Sequence, residues 1–68
     1  MEVYERIRTY INSKDLNSTV VACEAGIPHE IFQAMMSGKR KIHADELRSI
    51  CYALKVHPEI FIEFKSVQ

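Results

Sequence analysis

Sixty-eight residues leave room for one small domain, read here as spanning 1–68. Hydrophobic residues at 47% and charged residues at 26% exclude a chain disordered by composition, and no apolar run approaches the ~20 residues that cross a bilayer. Nine basic and nine acidic side chains cancel, so any basic surface must be local.

The chain opens on Met1-Glu2-Val3-Tyr4-Glu5-Arg6, which lacks the apolar region of a signal peptide and predicts a cytoplasmic protein. A first helix is expected from about Val3 to Asn12, with Val3, Ile7, Tyr10 and Ile11 along one face. Ser13-Lys14-Asp15 breaks it, and Leu16 is expected to pack inward just before an Asn17 cap. A second helix of small residues covers Ser18 to Ala25. Gly26 supplies a left-handed turn, Ile27 drops into the core, and Pro28 starts a third helix with its φ already set. That order of parts is a helix-turn-helix, whose second helix commonly lies in the DNA major groove.

The third helix runs to Met36 with Ile31, Phe32 and Met35 as core positions, and Ser37-Gly38 ends it. The basic loop Lys39-Arg40-Lys41 follows, able to offer cations and backbone amides together to a sugar-phosphate edge. A fourth helix is predicted over Ala44 to Leu54, with an apolar stripe of Leu47, Ile50, Cys51 and Leu54. Asp45 and Glu46 sit in its first turn, where carboxylates oppose the positive end of the helix dipole. A short fifth helix starts at Pro58 and carries Ile60, Phe61 and Phe64. No strand, repeat or linker is expected. Cys23 and Cys51 read as small buried hydrophobes in a reducing compartment.

From Ile7 to about Phe61 the chain resembles the lambda-repressor/Cro-like helix-turn-helix domains. The resemblance is carried by the Leu16 to Ala22 opening, Gly26-Ile27 at the turn and Ser37-Gly38-Lys39-Arg40 after the third helix. Leu47, Ile50, Ala53-Leu54, Val56 and Pro58-Glu59 extend it. The fold this implies is all-α, a compact five-helix domain with a helix-turn-helix. The chain departs from the family at Ser18, where glutamine is frequent, and at Lys55, where glycine usually ends the fourth helix. It departs again in the apolar stretch of its third helix.

The resemblance implies that His29, Glu30, Gln33 and Ala34 face the groove. A glutamine amide can read adenine, an alanine can touch a thymine methyl, and a glutamate can accept from cytosine. Lys39, Arg40 and Lys41 are the phosphate candidates, with Ser18 and Ser37 as neutral additions; helix-end chemistry accounts equally for both serines. Met36, Ile60, Phe61 and Phe64 are candidates for a homodimer or partner contact, with core packing the competing role.

His29, His43 and His57 have no metal-ligand spacing, and Cys23 has no local base. The expectation is a non-enzyme without cofactor or metal. Two functional classes follow. The first is a small sequence-specific DNA-binding regulator, a phage, mobile-element or bacterial repressor that inserts its third helix into the major groove of double-stranded DNA as a dimer. The second is a protein-binding modulator that uses the same fold to dock on a repressor or other protein. Neutral net charge, Glu30 and the apolar 31–36 segment speak for the latter.

Overall fold

The computed structural model describes residues 2–62. They form four α-helices and one 3₁₀ turn: α1 (Val3–Ser13), α2 (Ser18–Ala25), α3 (His29–Met36), α4 (Ala44–Leu54) and the turn Pro58–Ile60. No strand occurs among the described residues. The expected fifth helix is, within this range, that single turn; Phe64 lies outside the described residues.

Local chemistry sets the helix ends. Both long helices begin with a glutamate at the third helical position reaching back to the cap. The Glu2 N–H donates to Glu5 Oε1 at 2.8 Å, and the His43 N–H donates to Glu46 Oε1 at 2.9 Å. The Asn17 side chain accepts from the Thr19 N–H at 2.8 Å, as its place before α2 predicts. Pro28 stands one residue earlier than expected: it caps α3, with its carbonyl accepting from the Phe32 N–H.

Gly26 ends α2 at φ +73, and Gly38 follows α3 at φ +79. Gly38 has a second reason to be glycine, since a Cβ there would stand 2.7 Å from Cζ of Tyr4. The left-handed residue ending α4 is Lys55, at φ 61. It is a non-glycine residue in a conformation that costs an L side chain about 1–2 kcal/mol.

One continuous core joins the elements. Ile7 and Ile11 of α1 meet Val21 and Ala22 of α2, Ile27, and Phe32, Met35 and Met36 of α3. Ile50, Cys51 and Leu54 of α4 and Phe61 complete it. α1 packs on α3, α2 on α3 and α4, and the 3₁₀ turn on α4. Tyr10 receives Phe61 edge-on, with ring centroids 5.7 Å apart.

Four expectations change here. Leu16 is 42% exposed. It sits immediately before the cap and shares a surface hollow with Val21, the N′ and N4 positions of a hydrophobic staple. Cys23 is exposed, because Ala22 takes the inward position and the next residue turns about 100° away. For Met36 and Phe61, where core packing competed with a partner contact, the core holds both, at 9% and 2% exposure, and Met36 borders the cleft between α1 and α3. Leu47 and Ile31 pack against the core only partly buried.

Candidate nucleic-acid interface

The third helix divides cleanly. Phe32, Met35 and Met36 point inward, while His29, Glu30 and Gln33 are exposed and Ala34 is half-buried. His29, Gln33 and Ser37 lie four residues apart and so form one outer row, with Glu30 and Ala34 as the row beside it. The first row is linked along its length. Gln33 Nε2 lies 2.9 Å from His29 Nε2, and Ser37 Oγ donates to the Gln33 carbonyl at 2.8 Å.

Beside this row is a cleft of about 310 Å³ between α1, the start of α2 and α3. Its polar walls are Arg8, Asn12, Ser18, Gln33 and Ser37, over a floor that includes Ile11 and Phe32. Ser18 is thus brought to the same place as Gln33 and Ser37. The Ser37 hydroxyl hydrogen is spent on α3 carbonyls, leaving the oxygen to act only as an acceptor; this arrangement is the helix-end role and does not suit donation to phosphate.

Arg8 and Asn12 are the site residues that the sequence reading missed. Each follows a core position of α1, Ile7 and Ile11, by one residue, which puts them at the edge of the buried stripe. Arg8 Nη1 donates to the Met36 carbonyl at 2.9 Å, and its guanidinium lies 5.6 Å from the Tyr4 ring centroid. No basic residue occupies the last turn of α3, so a cation from α1 faces the negative end of that helix.

The basic loop is arranged differently from expectation. The Lys39 and Arg40 N–H groups both return to the Ala34 carbonyl, so these two amides are not offered to a ligand. Their capture follows from the left-handed turn at Gly38. Arg40 Nη1 is paired with Glu46 Oε2 at 2.9 Å. The His43 backbone N–H, and after it Arg40, hold the Glu46 carboxyl below its ordinary value. Lys39 and Lys41 are exposed and make no ion pair among the described residues. They supply the uncompensated charge of the loop.

The three histidines occupy the first turn of α3, the cap of α4 and the segment before the 3₁₀ turn. Among the described residues no three His, Cys, Asp or Glu side chains come together as a metal site. Burial raises the Cys51 thiol pKa, which keeps it protonated and unreactive. No described helix is long and apolar enough to cross a membrane. Comparison with protein-family models, curated proteins and solved structures returns no match to this chain.

Proposed function

We propose that the protein is a small sequence-specific DNA-binding regulator in which α2, the Gly26 turn and α3 act as a helix-turn-helix. In this reading α3 lies in the major groove. Gln33 reads a base edge, and His29, Glu30 and Ala34 lie along the same groove-facing side. The observation that carries the reading is the exposed polar row His29–Gln33–Ser37 on a helix whose opposite face is fully committed to the core. Lys39 and Lys41 at one end and Arg8 across the cleft supply positive charge where a phosphate backbone would flank that helix. A net charge of zero does not oppose this, because electrostatic contact depends on local cations. The experiment is selection from a random duplex library by the folded protein, followed by binding to the enriched sequences at increasing salt.

A second reading, a protein-binding module, is favoured by a different observation. Leu16, Val20, Tyr52 and Ile60, none of them on α3, leave 42%, 51%, 84% and 48% of their surface exposed. Under that reading a Val20→Asp or Tyr52→Ser variant loses a protein complex while keeping its fold.

A further inference from the structure

We infer that His29 acts as a positioning residue for Gln33 and that its protonation state selects which base Gln33 reads. The inference rests on the DNA-reading proposal above. Gln33 Nε2 and His29 Nε2 are 2.9 Å apart, one helical turn from each other on the exposed side of α3. A neutral imidazole carrying its proton on Nδ1 has a lone pair on Nε2, which accepts one of the two Gln33 amide hydrogens. The other amide hydrogen and the amide oxygen then stay available side by side. That donor–acceptor pair matches the N7 acceptor and N6 donor of adenine.

Protonation removes the lone pair and turns Nε2 into a donor. The favourable partner is then the Gln33 oxygen, so the amide rotates by half a turn and directs its NH₂ group outward. Guanine offers two acceptors, O6 and N7, and suits this orientation better than adenine does. No proton is transferred to the DNA; the added proton comes from solvent and remains on His29.

Glu30 is next to His29 on α3, and Arg8 of α1 shares the Gln33 cleft, to which α2 contributes only the uncharged Ser18. The chain holds two further histidines, His43 and His57, so a variant at His29 itself is needed to assign the effect.

The test has two arms. In the free protein, ¹⁵N NMR at pH 8 should place the neutral His29 proton on Nδ1, and the Gln33 side-chain amide signals should move with the His29 titration. In binding, the base pair whose preference is lost in Gln33→Ala is identified, and duplexes with A·T or G·C there are compared at pH 8 and pH 5. Wild type should favour adenine by about fivefold or more at pH 8, the lower end for one bidentate contact. That preference should vanish or invert at pH 5, whereas His29→Ala should show a weak preference that does not change with pH. A wild-type preference equal at both pH values, the same pH change in His29→Ala, or a neutral His29 protonated on Nε2 overturns the inference alone. Equal binding of wild type to every duplex at both pH values contradicts the DNA-reading proposal, and the inference falls with it.

Discussion

The Arg8 guanidinium on α1 donates to the Met36 carbonyl at the end of α3 over 2.9 Å, across 28 residues of sequence. Four residues earlier on α1, Tyr4 packs where a side chain at Gly38 would otherwise stand. Together they clamp the C-terminal end of α3, and Arg8 also borders the cleft that Gln33 opens onto. Replacing Arg8 with Ala is expected to lower stability by about 1 kcal/mol, the scale of one hydrogen bond from a charged donor at a partly exposed site. Urea unfolding should show a lower midpoint with an unchanged slope. An unaltered midpoint contradicts the clamp.

Lys55 gives a prediction of opposite sign. Its φ of 61 is the helix-ending conformation in which glycine is unstrained. Lys55→Gly relieves the strain and gives part of it back in chain entropy, for a net gain of about 0.5–1 kcal/mol. In a domain of this size that raises the thermal midpoint by roughly 3–6 °C. A lower midpoint contradicts the account of the α4 end.

Glu46 makes the stability depend on pH in a defined direction. Its carboxyl pKa is lowered in the folded state, first by the His43 backbone N–H and then by Arg40. The unfolded chain therefore binds a proton at higher pH than the folded one does. The stabilisation is fully present above the ordinary carboxylate value near 4.5 and is lost as pH falls below it, through the folded pKa. Glu46→Gln should flatten this acid limb while leaving its shape near neutrality unchanged. Arg40→Ala should make the loss smaller and complete it at a higher pH, because the folded pKa moves back toward the ordinary value. Unfolding curves from pH 3 to 7 measure both.

Under the DNA-reading proposal, the loop cations should separate in a salt titration of binding. Lys39→Ala and Lys41→Ala are each expected to reduce the slope of log K against log salt by about one unit, and to weaken all sequences alike. Arg40→Ala should change the slope less, because its guanidinium is already paired with Glu46. Equal slopes in wild type and the Lys39/Lys41 double variant remove the loop from the interface.

Much of the fold was legible because its punctuation is chemical. Asn17, Gly26, Pro28 and Gly38 mark the ends of α2 and α3, and the stripes of α1 and α4 repeat every three or four residues. The facing of α2 was not legible. Val20, Val21, Ala22 and Cys23 are all apolar, so no stripe tells which of them turn inward, and Leu16 and Cys23, expected inside, are exposed. The sequence does not decide Phe61 between core packing and a partner contact, because its ring partner, Tyr10, is far away in sequence. At the candidate site the α3 row followed from helical spacing alone. Arg8 and Asn12 did not, since only the packing of α1 on α3 brings them to the cleft. The Arg40–Glu46 pair and the captured amides of Lys39 and Arg40 depend on the path of the loop after Gly38, which composition does not specify.

The most direct test of the DNA-reading proposal compares wild type with Gln33→Ala in selection from a random duplex library. Gln33 is exposed, so the variant should fold as wild type does. Wild type is expected to enrich a defined sequence, with half-sites about 34–36 Å apart if it binds as a dimer. Gln33→Ala should lose about 1–3 kcal/mol of discrimination at one base pair of each half-site while keeping the preferences elsewhere. A folded wild-type sample that enriches no sequence, or a Gln33→Ala variant that enriches the same sequence with every position preferred as strongly as in wild type, contradicts the claim that α3 reads DNA through this residue.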